Sequence, residues 1–289
     1  MNARLGTPVV DELRLCYTAE PLLLEELSGV EVGGSITIAS FVLFRVGGDR
    51  FEYMFTVCIG DIGSREEIAT LKYGRYGAVS TQYVFFRVSN HILYDEDKLR
   101  MTLSLPEMMG MYFNNFTALD IAVDYKKNIS SIIKKMMRND RIKTIFNGKQ
   151  LKDRKRIIPG VTFDYSTSLS KLHCPTITLR QAKAIKNKEK GVSVQSYDKL
   201  AEIRESSGKD YILNYYDNPP RLYRLEVRLH YQELQDYSRK MGKPQSVAML
   251  FDPAYLESAF YYHLSSVLRF TVGRQKISWQ EMIASNGRV

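Results

Sequence analysis

Cysteine is scarce in this chain of 289 residues, and the few cysteines present are scattered. They are Cys16, Cys58 and Cys174, and none has a second cysteine at C-x-x-C spacing. Disulfide-stapled folds and zinc knots need clustered cysteines, so neither is expected here. The pattern is typical of a reducing compartment, and we predict a cytoplasmic location.

Long apolar runs are missing as well. The longest strongly apolar stretch runs from Ile36 to Phe44 and is interrupted by Ser40, whereas a membrane-spanning helix needs about 20 such residues. Acidic residues follow Arg4 without an apolar stretch and cleavage site, so we expect no signal peptide. No membrane partner is expected.

The composition, 44% hydrophobic and 25% charged, is that of a globular protein. Alternation of apolar and polar residues predicts many strands, among them Ser35 to Val46, with a hairpin at Gly47-Gly48-Asp49. Helices are predicted for Ile129 to Arg138, from Pro106 onward, and within Phe251 to Phe270. The predicted class is α+β, with a central largely antiparallel β-sheet flanked by helices and a helical C-terminal segment.

Three regions are expected along the chain. Residues 1–116 form a β-rich region that continues the same sheet or makes a pseudo-repeat half. Residues 117–240 form the core that carries the polar strands described below, and residues 241–289 form the helical C-terminal segment.

Positive charge is concentrated in one basic band, from Lys126 to Lys190. The band holds 18 Lys and Arg against four Asp and Glu, a net charge of +14, while the rest of the chain has a net charge of −5. Such a band favours a polyanion, with a solvated lysine-rich surface as the alternative. The predicted contacts to such a polyanion, which the resemblance described below identifies as DNA, are Lys149, Lys152, Arg154, Lys155, Arg156, Lys183, Lys186 and Lys188.

Two predicted strands carry charge on one face only. In residues 119–125 the period of two places Asp120 and Asp124 on the side opposite the large apolar residues. These carboxylates would repel each other unless they are solvated or bound to a cation, so an exposed strand face and a metal site both remain open.

In residues 222–231 the same period aligns Arg224, Glu226 and Arg228 on one face. This ladder is either a structural row of salt bridges or a carboxylate and two guanidiniums that bind a metal ion and phosphate.

A third strand adds a phenol. The residues on its polar face are Ser193, Gln195, Tyr197 and Lys199, and Glu202 follows shortly after. A tyrosine that attacks a phosphodiester needs a cation and a metal-binding carboxylate nearby. A lone tyrosine among 19 is usually an ordinary surface residue, and only these neighbours single out Tyr197.

In chain order (residues 119–125, then 193–202, then 222–231), the three motifs resemble the trans-acting rolling-circle replication initiators of plasmids, and they are similar to filamentous-phage-type initiators. The resemblance covers residues 117–235. It implies that Tyr197 is the nicking nucleophile. It also implies phosphate contacts from Lys199, Arg224 and Arg228, and metal ligands drawn from Asp120, Glu202 and Glu226, to which we add Asp124.

The chain departs from the wider superfamily of nicking initiators in one respect. Many of those proteins use a His-apolar-His metal motif, which none of the four histidines here forms. The trans-acting subfamily resembles this chain in having carboxylates instead.

The resemblance implies a metal-dependent DNA nicking-closing endonuclease with Mg²⁺ or Mn²⁺ as cofactor. Attack would give a 5′-phosphotyrosyl link and a free 3′-hydroxyl, and the strand would later be rejoined. The implied partners are plasmid or phage origin DNA, as a single-stranded hairpin with flanking duplex, and a host helicase. The sequence leaves the oligomeric state open, with a homodimer as one option.

Two alternatives remain open from the residues alone. A metal-dependent nuclease could use the same carboxylates with water as nucleophile, and a non-enzymatic origin-binding initiator would need only the basic band. A tyrosine recombinase is disfavoured, because no histidine is followed by arginine in a His-x-x-Arg element.

Neutralising Lys152, Arg154, Lys155 and Arg156 together is expected to weaken DNA binding and to flatten its dependence on salt. A side chain that no longer neutralises a phosphate releases no counterion, so the slope of log K against log salt decreases by about 0.7–0.9 for each such phosphate. Binding titrations at several salt concentrations measure this slope. An unchanged slope would place the DNA surface elsewhere.

Overall fold

The computed structural model describes residues 4–48, 50–60, 64–75, 82–151, 161–164, 176–181, 184, 186–187 and 190–287. The chain divides into two compact units. The N-terminal unit comprises Asp11–Leu119 and Lys243–Ala248, and the C-terminal unit comprises Met1–Val10, Asp120–Gly242 and Met249–Val289.

An antiparallel sheet forms most of the N-terminal unit. Its strands are β1 (Pro8–Thr18), β2 (Ser35–Ile38), β3 (Phe41–Val46), β4 (Phe51–Ile59), β5 (Glu66–Arg75), β6 (Tyr83–Val88) and β7 (Tyr112–Tyr125). Their order is β7-β1-β6-β5-β4-β3-β2. This unit contains β1 from Asp11 onward and β7 up to Leu119, so the boundary expected at residues 116–117 lies within β7.

The predicted hairpin at Gly47-Gly48-Asp49 joins β3 to β4, which pair antiparallel; Asp49 lies outside the described residues. The single strand predicted from Ser35 to Val46 is wrong, because the chain turns at Ala39, where φ is +51°. β2 and β3 therefore pair with each other as a tight hairpin, Ile38 opposite Phe41. Alanine is not a typical turn residue, so the sequence pattern predicts a continuous strand at this position.

The N-terminal unit also contains two α-helices, α1 (Pro21–Ser28) and α2 (Glu96–Met108). α1 begins at a proline, whose fixed φ suits the first helical turn. The prediction that a helix starts at Pro106 is wrong: this proline lies in the last turn of α2. α2 starts well before it, where the Asp95 side chain accepts a hydrogen bond from the Lys98 backbone N–H (3.1 Å).

The core of the N-terminal unit is built from large apolar side chains on the sheet. Leu13, Phe41, Phe55 and Phe86 are each at most 1% exposed. At roughly 1.5–3 kcal/mol for each buried large apolar side chain, this core supplies a major share of the favourable free energy of folding of the unit.

The C-terminal unit alternates strands and helices. Its elements in chain order are α3 (Ile129–Arg138), β8 (Lys143–Phe146), β9 (Lys149–Gln150), β10 (Val161–Asp164), β11 (Thr176–Arg180), β12 (Ser193–Asp198), α4 (Lys199–Glu202), α5 (Asp210–Tyr215), β13 (Tyr223–His230), α6 (Tyr231–Met241), α7 (Pro253–Val267), β14 (Leu268–Val272), β15 (Gln275–Ile277) and α8 (Trp279–Ala284). One sheet has the order β10-β11-β12-β13-β7, and a smaller sheet has the order β15-β14-β8-β9.

Helix α3 has the bounds that the sequence pattern predicts. It is amphipathic, with Ile129, Ile133 and Met136 fully buried on one side. The Asn128 side chain caps it by accepting a hydrogen bond from the Ser131 backbone N–H (2.9 Å). On the buried side the Ser130 hydroxyl lies 3.0 Å from the Ser196 hydroxyl, which attaches α3 to β12.

The predicted α+β class is confirmed, because antiparallel sheet and helices both make up large parts of the described chain. The helix predicted within Phe251 to Phe270 is present as α7, and the short strands β14 and β15 follow it before α8. In the part of the chain that the structure describes, every helix is too short or too polar to cross a membrane.

Helices α6 and α7 pack through aromatic rings around Tyr237. Its ring centroid lies 5.0 Å from that of Tyr262 and 5.3 Å from that of His263. His263 is 3% exposed. Burial lowers the pKa of His263 to about 4, against a smaller opposing effect of the Asp236 charge, so the folded protein holds this imidazole neutral above that pH.

Acidification is therefore expected to destabilise the protein through His263. Its pKa is about 6.5 in the unfolded chain and lower in the folded one, so between these values the unfolded state binds more protons. Stability is then complete above about pH 6.5 and falls by up to about 3 kcal/mol as pH drops to about 4. Chemical denaturation across this range measures the loss.

The variant His263→Leu should show a flatter pH dependence than the wild type. His91→Gln alters a partly exposed histidine of the N-terminal unit and serves as the control that keeps the wild-type slope. If His263→Leu loses stability as steeply as the wild type, another group causes the acid sensitivity.

Candidate active site

The register of β12 against β13 places two of the predicted polar faces on one side of the sheet. Tyr197 is the partner of Arg224, and Gln195 is the partner of Glu226. Residues directly opposite each other in an antiparallel pair point to the same face. The phenol, the guanidinium and the carboxylate therefore share one surface.

Strand β7 contributes the third predicted face. Arg224 pairs with Asp124, and Arg228 pairs with Asp120. Residues four apart on β13 thus meet residues four apart on β7 in reverse order, as antiparallel neighbours do. The surface formed by Asp120, Asp124, Tyr197, Arg224, Glu226 and Arg228 is called the polar face below.

The opposite side of these strands is apolar and covered. Val194, Leu225 and Val227 are each at most 1% exposed, and Ser196 on the same side meets Ser130 of α3. This side anchors the sheet on helices, because burying it favours only one register of each strand. The alternation in the sequence therefore determines which side chains reach the polar face.

The deep end of the polar face is a buried ion pair. Arg224 Nε donates to Asp124 Oδ1 (2.8 Å) and Arg224 Nη2 donates to Asp124 Oδ2 (2.6 Å). Both side chains are 0% exposed. A bidentate pair of this geometry offsets the cost of burying two charges, although neither group can then contact solvent or a ligand.

Tyr216 covers this ion pair from the end of α5. It is 6% exposed. Burial raises the pKa of its phenol, and the negative charge of Asp124 raises it further, outweighing the effect of Arg224. The hydroxyl thus stays protonated beside the carboxylate. The residue pattern does not identify Tyr216, because Tyr215-Tyr216 carries no charge pattern that relates it to β7 or β13.

The open end of the polar face is centred on Glu226. The Tyr197 hydroxyl donates to Glu226 Oε2 (3.0 Å), and Arg228 Nε donates to Glu226 Oε1 (2.6 Å). Arg228 Nε also lies 3.4 Å from Asp120 Oδ2. The side chains are 1% exposed for Glu226, 14% for Asp120 and 44% for Arg228, so the site opens to solvent at Arg228.

The two carboxylates keep Arg228 charged. Partial burial lowers the pKa of Arg228, but the charges of Glu226 and then Asp120 outweigh burial and raise it overall. The guanidinium therefore neutralises two carboxylates on one side and presents an exposed positive edge on the other. Such an edge is suited to a phosphate oxygen.

Lys199 differs from its predicted place on the strand face. β12 ends at Asp198, whose side chain caps α4 by accepting a hydrogen bond from the Ala201 backbone N–H (2.9 Å). Lys199 is the first residue of α4 and is 2% exposed. Its Nζ lies 2.8 Å from Glu202 Oε2 and 5.7 Å from the centroid of the Tyr197 ring. The Lys199 ammonium is thus near the Tyr197 phenol, but Lys199 belongs to helix α4 and not to strand β12.

The four predicted metal ligands are all paired with cations: Asp124 with Arg224, Glu202 with Lys199, and Asp120 together with Glu226 around Arg228. Among the described residues, no three His, Cys, Asp or Glu side chains are grouped as a metal site would require. Asp124 does not fit a metal, because it is sealed against Arg224. Asp120 and Glu226 both lie against Arg228 Nε, so an ion between these two carboxylates would take the place of that guanidinium contact.

The predicted DNA contacts lie mostly outside the described residues. Lys149 in β9 and Lys186 are described, and both are exposed. The other six predicted contacts, Lys152, Arg154, Lys155, Arg156, Lys183 and Lys188, lie outside the described residues.

Comparison with known proteins adds little. No protein-family model and no curated protein matches the chain. A solved structure of Methanococcus jannaschii TBP has 9% sequence identity and a TM-score of 0.27, over 81% of this chain and 95% of that one. A likeness at this level supports no inference about fold or function.

Arg224→Met is expected to lower the free energy of unfolding by about 3–5 kcal/mol, because it leaves the Asp124 charge buried without its partner. The double variant Asp124→Leu/Arg224→Met should recover most of that loss, since both charges are then absent. Urea denaturation of the two single variants and the double variant measures the coupling.

Arg100→Met is the control for this cycle, because the side chains of Arg100 and its partner Glu96 are 52% and 35% exposed, so its removal leaves no buried charge. It should destabilise the protein clearly less than Arg224→Met. Additive losses for the Asp124 and Arg224 variants would contradict a coupled ion pair.

Proposed function

We propose that this chain is a rolling-circle replication initiator that nicks origin DNA with Tyr197 as nucleophile and later rejoins the strand. The observation that carries the proposal is the hydrogen bond of 3.0 Å from the Tyr197 hydroxyl to Glu226, beside the partly exposed Arg228. A phenol, a proton acceptor and a phosphate-binding cation are thereby assembled on one strand face.

The first requirement of this chemistry is removal of the phenolic proton. A tyrosine has an ordinary pKa near 10, so at neutral pH it needs a base when it attacks. Glu226 Oε2 already accepts the hydrogen bond of that proton and is placed to receive it. The Lys199 ammonium, 5.7 Å from the ring centroid, favours the negative charge that develops on the phenol.

The second requirement is attack in line with the leaving group. The Tyr197 oxygen forms a bond to phosphorus while the bond from phosphorus to the 3′-oxygen breaks. The phenolic proton passes to Glu226, and the 3′-oxygen leaves and gains a proton to become a hydroxyl. The products are a 5′-phosphotyrosyl link and a free 3′-hydroxyl, and attack by a 3′-hydroxyl reverses the step.

Arg228 would hold the scissile phosphate. Its guanidinium is fixed on one edge by Glu226 and Asp120, which leaves the exposed edge for a phosphate oxygen. Because Glu226 also holds Tyr197, the same carboxylate sets the spacing between nucleophile and phosphate. Arg224 forms a buried ion pair with Asp124, so its role is to position strands β7 and β13.

Asp120 and Glu226 would hold Mg²⁺ or Mn²⁺ together with the phosphate. When bound there, the ion supplies charge that polarises the phosphate and stabilises the transition state. Both Glu226 oxygens already accept hydrogen bonds, from Tyr197 and Arg228, so Asp120 would be the main protein ligand of the ion.

The DNA-binding part of the proposal rests on the basic band. Its net charge of +14 from Lys126 to Lys190 lies in the same unit as Tyr197. A polyanion attracted by this band is brought to the unit that carries the nucleophile.

Tyr197→Phe is expected to abolish a covalent protein–DNA adduct without loss of DNA binding, because only the nucleophilic oxygen is removed. The measurement is an incubation with Mn²⁺ and a labelled single-stranded DNA library of random sequence, followed by denaturing electrophoresis. Glu226→Gln should slow adduct formation by about 100-fold or more, since the amide cannot accept the proton.

Tyr223→Phe is the matched control, because Tyr223 lies on the neighbouring strand and is partly exposed as Tyr197 is. It should form the adduct at the wild-type rate. An adduct with Tyr197→Phe would show that Tyr197 is not the nucleophile, and cleavage without an adduct would favour a nuclease that uses water. Equal loss of adduct and binding in Glu226→Gln would assign Glu226 a folding role.

A further inference from the structure

A cavity of about 880 Å³ lies in the C-terminal unit, outside the polar face. Its walls come from the segment before β1, the end of β7, the loop after α5, and helices α7 and α8. Small-molecule sites typically measure about 300–1,000 Å³, so this cavity is large enough for a ligand of drug or nucleotide size.

Three tyrosines, Tyr125, Tyr216 and Tyr261, line the cavity. Burial raises the pKa of each phenol, so all three stay protonated at neutral pH. The Tyr125 hydroxyl lies beside Tyr261, and the Tyr216 hydroxyl lies beside Asp124, but neither makes a hydrogen bond of normal geometry. Both hydroxyls are buried, so these tyrosines present mainly apolar ring surface to the cavity.

The cavity lining is positively charged. Arg4 and Lys126 are exposed, and neither forms an ion pair within the described part of the chain. Lys127 stabilises the cavity wall, because its Nζ donates to the backbone carbonyls of Ile283 (3.0 Å) and Ala284 (2.8 Å) at the end of α8. The exposed Asp217 is the acidic member of the lining, so the lining keeps a positive balance.

The loop after α5 forms a rigid wall. Asp217 and Asn218 have φ values of +57° and +51°, and Pro219 and Pro220 follow them in the lining. Two successive left-handed residues are uncommon, and such backbone tends to persist where the surroundings fix it and a site needs it. The Asn218 backbone N–H donates to the Leu213 carbonyl (2.8 Å), and the prolines restrict the chain further.

We propose that this cavity binds a nucleotide. Its base would lie against the tyrosine rings, and its phosphate would lie at Arg4 and Lys126. Stacking on an aromatic ring contributes about 1–3 kcal/mol per base, and arginine and lysine supply the phosphate contact. The same chemistry fits a free mononucleotide and one nucleotide of a single-stranded DNA.

The cavity and the polar face are connected through Tyr216. This residue lines the cavity and lies beside Asp124, whose partner Arg224 is opposite Tyr197 in the strand register. The inference does not depend on the proposed nicking reaction. Binding is therefore measured in a Tyr197→Phe background, where no covalent adduct of that residue can contribute.

The test uses two probes and one blocking variant. The probes are the four deoxynucleoside monophosphates, titrated by calorimetry, and a fluorescent oligothymidylate of about ten nucleotides, titrated by anisotropy. Ala284→Trp adds a large side chain at an exposed position of the lining. Ala254→Trp adds the same side chain at an exposed position outside the lining and is the matched control.

Ala284→Trp should weaken binding at least tenfold, and Ala254→Trp should leave it unchanged. Arg4→Ala/Lys126→Ala should also weaken binding tenfold or more, whereas the exposed pair Arg274→Ala/Lys276→Ala should not. An effect on monophosphates identifies a free nucleotide as ligand, and an effect on the oligonucleotide alone identifies a nucleotide of a DNA strand.

Absence of binding by both probes, or binding that Ala284→Trp leaves unchanged, would overturn the proposal. Nucleosides that bind as tightly as their monophosphates would also overturn it, because the cations would then have no part. Thermal unfolding of each variant, followed by circular dichroism, verifies that a weaker affinity does not come from unfolding of the variant.

Discussion

The buried pair of Asp124 and Arg224 is the interaction on which the candidate site depends. Two charges that are 0% exposed are tolerated only in a close bidentate geometry, so β7 and β13 are held in one register. The pairing of β12 with β13 then places Tyr197 beside Glu226. The arrangement of Tyr197, Glu226 and Arg228 at the open end thus depends on an ion pair that is closed to solvent.

Each carboxylate of the polar face is paired with a guanidinium, but the ion pairs differ in how far they are closed to solvent. At the deep end the pair is closed to solvent, while at the open end one guanidinium serves two carboxylates and remains 44% exposed. An incoming phosphate or cation can exchange partners only at the open end. The site therefore combines a rigid base with a rim whose ionic contacts can rearrange on binding.

The sequence predicted the fold class, the helix Ile129–Arg138 and the shared polarity of three strands. Apolar residues recur with a period of two in strands and 3.6 in helices, and both periods can be read from the residue pattern. It did not predict which partner each charge takes. Asp124 and Asp120 look equivalent along the strand, yet one is sealed and the other faces Arg228. Lys199 and Tyr216 were misplaced or missed, because helix starts and cross-chain packing depend on tertiary contacts. The initiator family and the nicking role stay predictions.

The strand register also determines where the chain can change length during evolution. Inserting one residue into β12 or β13 would turn every following side chain to the other face and separate Tyr197 from Glu226. The connection between these strands carries α4, a π-helical turn over Ile203–Ser207 and α5, and its ends are fixed by the sheet. Changes of length are therefore expected in this connection and not in the strands, where they would break the hydrogen bond from Tyr197 to Glu226.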